Sequence, residues 1–178
     1  MAEPDPVDRL IEQWRRERPD LDLAAMATIG RLGRLSALAG PMVEAGLAPH
    51  GLNVGEFDVL AALRRSGEPF TLTPTVLART LMLSPAAMTN RLDRLEAAGL
   101  VTRDLDPGNR RSMRVRLTAS GRERVDAAVT DHVANEEQLL STLSHDDRRT
   151  LDDLLRRLLA GIEARVPGRD RSGRRQAR

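Results

Sequence analysis

Cysteine, tyrosine and lysine are absent from the 178 residues, and the aromatic side chains are one Trp and two Phe. The lack of Cys removes disulfides, thiolate nucleophiles, Cys-ligated zinc and thiol redox sensing together. The shortage of aromatics leaves Leu, Ala, Val and Met to build the core, a composition that suits helix packed on helix. No run approaches the roughly 18 apolar residues of a membrane span. The opening MAEPDPVDRL has no apolar stretch of the secretion-signal type. Both absences predict a cytoplasmic chain with no membrane partner. No phosphate-binding glycine motif and no nucleophile elbow occurs. His50, His132 and His145 are scattered, with no His-x3-His spacing. The expectation is no catalytic residue, no metal ligand and no cofactor, with a carboxylate-assisted zinc site as the one open metal alternative.

With Lys missing, every basic side chain other than His is Arg, and the net charge of +2 hides how unevenly these are spread. Residues 74–117 hold eight Arg against four acids, and residues 165–178 hold six Arg against one Asp. The rest of the chain is acidic. A single charge run is ordinarily a solvated face. Two basic segments on an otherwise acidic chain point instead to a polyanionic partner.

The first of those segments is also the most ordered in pattern. Thr73-Pro74 and Ser84-Pro85 each read as an N-cap followed by Pro at the first helical position, so two short helices with a tight turn are predicted. Gly99 ends the second helix in the usual C′ role. Residues 101–105 and 113–117 read as two strands, with Asp106-Pro107-Gly108-Asn109 as their turn. Helix, turn, helix and a two-stranded ribbon with paired arginines at its tip make a winged helix-turn-helix. Met88, Leu92 and Leu95 of the second helix are expected to face inward, leaving Pro85, Ala86, Thr89, Asn90 and Asp93 outward and Ala87, Arg91 and Arg94 at the flanks. Ser84 and Ala86 let the helix enter a major groove and offer its free N–H groups to a phosphate. Thr89 and Asn90 can bond base edges, and Arg94 can reach guanine or phosphate. Arg110 and Arg111 at the tip suit a narrow minor groove, with Arg114 behind them on the strand. An ordinary solvated hairpin has a similar composition. What sets this one apart is a reading helix directly before it.

Around this unit lie helices that a single winged helix does not need. Asp5-Pro6 starts one carrying Val7, Leu10, Ile11 and Trp14. A long helix is predicted over about 21–45, with a kink or early stop near Gly40 because of Pro41, and a loop over 46–51. Asn53 and Glu56 form a capping box for a further helix carrying Phe57, Leu60, Ala61 and Leu63. Thr118 caps a helix running to about residue 140. Ser144 caps the last, with its stripe of Leu151, Leu154, Leu155, Leu158, Leu159 and Ile162. From Val166 onward Pro, Gly and Arg predict a disordered basic tail. The organisation is N-terminal helices over 1–51, the DNA-reading unit over 52–121, C-terminal helices over 122–165 and the tail over 166–178. The fold class is mainly α with a small β-wing. Pairing two chains through the flanking helices buries their stripes and presents two reading heads to a pseudo-palindrome. A larger monomeric core is the alternative.

The run over 72–121, with Asp106-Pro107, Asn109-Arg110-Arg111 and Leu117-Thr118-Ala119-Ser120-Gly121, resembles the multiple-antibiotic-resistance regulator (MarR) family of bacterial winged-helix repressors. The flanking helices extend the resemblance over nearly the whole chain. In that family an Asp that braces the wing arginines usually stands where this chain has Asn109, while Asp106 is retained. The resemblance implies a dimeric regulator, usually a repressor, released from double-stranded DNA by a small, often anionic or aromatic molecule. One subgroup has an added N-terminal helix and responds to urate, and this chain is similar to it at Trp14, Asp58, Arg65 and Arg91. Related members answer to other anions such as tricarboxylates.

The chemistry of those four is reasonable by itself. Asp58 and Arg65 stand seven apart, two turns along one helix face. A guanidinium can make paired hydrogen bonds to a planar anion, the carboxylate can accept from it, and Trp14 can wall it. Arg91 would couple that site to the reading helix. Equally, Trp14 suits a core anchor, Asp58 and Arg65 suit an ion pair, and Arg91 suits a phosphate contact. The expected function is a sequence-specific DNA-binding regulator released from its operator by a urate-like purine or organic acid. A winged-helix protein-interaction module and an effector-independent architectural dimer are the alternatives.

Overall fold

The computed structural model describes residues 3–106 and 108–166. The first compact unit runs to Glu136 and the second begins at Glu137. In the first, α1 (Pro6–Glu17) starts in a capping box. The Asp5 carboxylate accepts the backbone N–H of Val7 and Asp8 at 2.7 and 2.8 Å, and the Asp8 carboxylate accepts the Asp5 N–H at 2.9 Å. Val7 and Ile11 pack with Leu23 and Ala27 in a small apolar cluster. Arg31, on α2 (Ala24–Leu47), pairs with Asp5 at 2.7 Å and with Asp8.

Of the kink or early stop expected near Gly40, the stop does not occur: α2 runs through Pro41 to Leu47. A proline removes one intrahelical bond, and the helix is held beyond it by tertiary contacts. Leu47 is fully buried, and the Asn135 side chain donates to the Met42 carbonyl at 3.1 Å. The loop expected over 46–51 is accordingly mostly helical, closing in a 3-10 turn over Ala48–His50 that ends at Gly51 in the left-handed region, φ 64°.

α3 (Val54–Arg65) has the expected capping box between Asn53 and Glu56. α4 (Pro74–Thr80) and α5 (Pro85–Ala97) start at Thr73 and Ser84, whose hydroxyls accept the N–H of Val76 and Ala87 at 3.3 and 3.2 Å. The sheet has three strands rather than two, in the order β1-β3-β2, all antiparallel. β1 (Thr71–Leu72) is too short to show an alternation in sequence, and it pairs with β3 through Thr71↔Arg116 and Leu72↔Val115. β2 (Val101–Asp106) pairs with β3 (Asn109–Leu117), which begins four residues earlier than the sequence pattern suggests because the pairing continues to Asp106↔Asn109. The core joins Leu47, Phe57, Leu60 and Leu63 to Leu77 of α4, Met88, Leu92 and Leu95 of α5, and Val101, Val115 and Leu117 of the sheet.

α6 (Ala119–Leu139) begins flush against this core. The Thr118 hydroxyl accepts the N–H of Gly121 at 2.9 Å and itself donates to the carbonyl of Gly99 at 2.8 Å. A Cβ on Gly121 would stand 2.0 Å from the Leu100 carbonyl oxygen, so only glycine fits. α6 is tied to α3 by Arg64, which pairs with Asp126 at 2.7 Å and lies 5.1 Å over the Phe70 ring.

The second unit holds the end of α6 and α7 (His145–Glu163), capped by Ser144 through the N–H of Asp147 at 3.1 Å. Arg148 ties the turn between them, donating to the carbonyls of Leu140 and Leu143 at 3.1 Å each. No residue of α7 is buried, and Leu154, Leu155, Leu158, Leu159 and Ile162 form an exposed apolar stripe. Among the described residues no helix is long and apolar enough to cross a membrane.

Candidate functional site

α5 has two working faces besides the one in the core. Met88, Leu92 and Leu95 are at most 2% exposed, as the spacing predicts. This anchoring turns Ser84, Pro85, Ala86, Thr89 and Asn90 out to solvent. The helix start is free of bulk there. Ser84 is occupied as the N-cap, and the Thr89 hydroxyl donates back to the Pro85 carbonyl at 3.0 Å, which leaves its lone pairs as acceptors. The Asn90 amide adds two donors and an acceptor. Such a surface can enter a groove and read base edges.

The flank of α5 turned toward α3 carries Arg91 and Arg94, one turn apart. Arg91 lies directly on the backbone of Gly55. Its Nη1 donates to the Gly55 carbonyl at 3.3 Å, and a Cβ on Gly55 would stand 2.6 Å from the guanidinium carbon. Arg94 pairs through Nε with Glu56 Oε1 at 3.2 Å. The other oxygen of that carboxylate accepts the Asn53 N–H at 3.2 Å, so a single Glu both caps α3 and holds the reading helix. Two consecutive residues of α3 thus seat two arginines of α5.

Asp58 stands next to this seat. It is half-buried, with no hydrogen bond or ion pair among the described residues. Burial pushes its carboxyl above the usual range, while the charges of Arg91, Arg65 and His132 pull the other way. Asp58 thus lies within electrostatic reach of Arg91 and Arg65, the latter at the exposed C-terminal end of α3. Trp14 is not joined to them. It is 43% exposed on α1, with no hydrogen bond or ring contact of its indole among the described residues.

The wing is braced from two sides. Arg103 on β2 pairs with Asp93 at 2.7 Å and Glu96 at 2.5 Å on α5, and its backbone N–H donates to Glu96 at 3.1 Å. Toward the tip, Arg114 pairs with Asp106 at 2.9 Å, and Asp106 also accepts the Gly108 N–H at 2.8 Å. Those bonds hold the Asp106 carboxyl below its ordinary range, the Gly108 N–H first and Arg114 after it. So Asp106 supplies a wing brace, bonded both to β3 through Arg114 and to the turn through Gly108. Arg110 and Arg111 fall in β3, their side chains outside the described part, as are Pro107 and the tail from 167 onward.

Sequence reasoning misses four participants: Gly55, Glu56 as the partner of Arg94, Glu96 as the partner of Arg103, and His132. Glu56 is visible in sequence only as half of a capping box. His132 reads as one of three scattered histidines, and it acquires significance only because α6 carries it against Phe57, ring centroids 4.6 Å apart. No group of three His, Asp or Glu able to hold a metal ion occurs among the described residues.

Residues 50–112 match the model of the MarR family. The chain is 40% identical over 152 residues to the HTH-type transcriptional regulator PecS of Dickeya dadantii (strain 3937), covering 85% of this chain and 92% of that one. Among solved structures it is similar to the Mycobacterium tuberculosis MarR family protein Rv2887 in complex with DNA, with TM-score 0.61 and 32% identity, over 78% of this chain and 98% of that one. It is also similar to a point mutant of MarR from E. coli in complex with operator DNA, with TM-score 0.68 and 26% identity, over 77% and 97% of the two chains.

Proposed function

The chain belongs to the MarR family of transcriptional regulators and is not an enzyme, and on that premise we propose that it is a homodimeric repressor released from a pseudo-palindromic operator by a small anionic ligand. The observation that carries this reading is the position of Arg91. It is next in the helix to Asn90 of the base-reading surface, yet its guanidinium rests on Gly55 and acts on Asp58. An anion drawn to Arg65 and Arg91 competes for that guanidinium, and α5 must respond. Differential affinity for the two positions of α5 is what release requires. DNA contact is assigned to Ser84, Ala86, Thr89, Asn90, Arg94, Arg110, Arg111 and Arg114. Arg94 and Arg114 each keep an acidic partner that a phosphate would have to displace or share.

Dimerisation is supported by apolar surface that one chain leaves uncovered. On α2, Ile29, Leu35, Leu38 and Met42 are each more than half exposed, and α7 buries nothing. Two copies covering these stripes present two copies of α5. The structures of Rv2887 and E. coli MarR with DNA support a nucleic-acid partner.

The decisive experiment selects a duplex from a random pool and measures its affinity against salt, then titrates urate and citrate into the complex. Affinity should fall steeply, with a log–log slope of about −0.9 per phosphate neutralised, and one of the two anions should dissociate the complex. Binding insensitive to salt would point to a protein-interaction module. Salt-sensitive binding that neither anion releases would point to an architectural dimer.

A further inference from the structure

Arg94 and Glu56 are an ion pair of unequal freedom. Arg94 stands one turn after Asn90 on the same line of α5, and its side chain is 61% exposed. The Glu56 carboxylate, 3.2 Å away, is 14% exposed. Its other oxygen accepts the Asn53 N–H at 3.2 Å, and the Glu56 N–H donates to the Asn53 side chain at 2.9 Å. It also lies in the first turn of α3, where the helix dipole favours negative charge. This carboxylate is fixed and cannot follow the arginine outward. The Arg94 guanidinium, by contrast, makes no hydrogen bond among the described residues. Its charge is matched while its N–H groups stay available. Arg103 is the opposite case. It is 26% exposed and commits its guanidinium to Glu96 and Asp93, so it serves the wing and has little left for DNA.

A fixed carboxylate beside an available guanidinium treats the two kinds of acceptor on DNA differently. A phosphate is an anion, and bringing it to Arg94 sets two negative charges around one cation. O6 and N7 of guanine are neutral, and a guanidinium can donate to both with its carboxylate partner still in place. Phosphate contacts carry no sequence information, whereas base edges do. We propose that Glu56 is a positioning residue for sequence specificity: its charge beside Arg94 turns that arginine from a general phosphate contact into a reader of one guanine. This rests on the DNA-reading role of α5 and needs no effector.

The test measures affinity against salt on the full-length protein for the selected duplex, its single-base-pair variants and a duplex without the site. Glu56→Gln keeps side-chain length and the capping box but removes the charge. It should tighten binding to the duplex without the site about threefold, the scale of an exposed ion pair. The log–log salt slope on that duplex should steepen by about 0.9, the mark of one further phosphate. Discrimination at one G·C pair should fall about threefold. Arg94→Lys, which keeps the charge and loses the planar fork, should lose discrimination at the same pair and retain affinity for the duplex without the site. In an Arg94→Ala background Glu56→Gln should have no effect. A tightening that persists there overturns the proposal, since the removed charge then acts on DNA without Arg94. An equal change on every duplex also overturns it, and a lowered melting temperature with uniform weakening marks Glu56 as a cap alone. Should Glu56→Gln fail to fold, an Arg94→Lys variant that discriminates every base pair as the natural protein does suffices to overturn it. Binding that is insensitive to salt overturns the DNA reading itself, and the proposal with it.

Discussion

The two exposed faces of α5 differ in how they are held. The outward one, Ser84 to Asn90, is small, polar and bonded only within its own helix. The one facing α3 is long, charged and committed to a neighbour, Arg91 on Gly55 and Arg94 on Glu56. A surface that must accept many sequences of donors and acceptors gains from having no prior partner. A surface that must report a ligand needs a partner to lose. On the proposed function, the same thirteen-residue helix carries an unsatisfied face for recognition and, through Arg91, a satisfied one for control, and substitutions should separate them.

The largest effect is expected on the control face. Arg65→Ala should reduce effector affinity on the order of a hundredfold, the loss of a charge-assisted hydrogen bond, with DNA affinity in the absence of effector little altered. Parallel loss of both would merge the two faces into one structural role. Asn90→Ala tests the other side. It should cost about tenfold at one base pair and almost nothing at the others, whereas Arg110→Ala with Arg111→Ala should weaken all sequences alike and reduce the salt slope by roughly 2. A uniform effect from Asn90→Ala would show that it positions rather than reads.

Gly55→Ala is gentler. A methyl group there meets the guanidinium carbon at 2.6 Å, but a flexible side chain can swing away, and alanine favours the helix by roughly 0.5–1 kcal/mol. The melting temperature should hold or rise while the effector concentration for half-release shifts a few-fold. An unchanged release curve would mean that the Gly55 seat is not part of the switch.

The smallest expected effect is a contrast between two carboxylates. Asp106 is held below its ordinary 3.8 by the Gly108 N–H and Arg114, so its contribution is complete above that value and is lost as pH falls through the lower folded-state one. Asp58 is raised from 3.8 by burial, so its ionisation above that value opposes folding. At neutral pH Asp106→Asn should lower the melting temperature slightly and Asp58→Asn should leave it equal or higher. Thermal unfolding followed between about pH 3 and 7 reads both signs.

Much of this molecule is legible before folding. Caps at Asp5, Asn53, Thr73, Ser84, Thr118 and Ser144 are local chemistry, and each starts the helix it predicts. The inward set Met88, Leu92 and Leu95 follows from helical period alone. The failures all concern partners distant in sequence. Pro41 argues for a stop until Leu47 and Asn135 hold the far end of α2. β1 is two residues long and exists only because β3 offers it an edge. Arg94 has a partner that its own surroundings in sequence do not show, Glu56, far back in the chain on α3. His132 is an isolated letter until α6 is laid on α3.

The junction at Gly121 has a mechanical consequence. With no room for a side chain against Leu100, and with Thr118 bonded to both the end of the reading helix and the start of α6, this corner has no slack. A winged unit joined this way is expected to turn together with the start of α6, so that a rotation of α5 should be felt as a torque there rather than absorbed at a hinge.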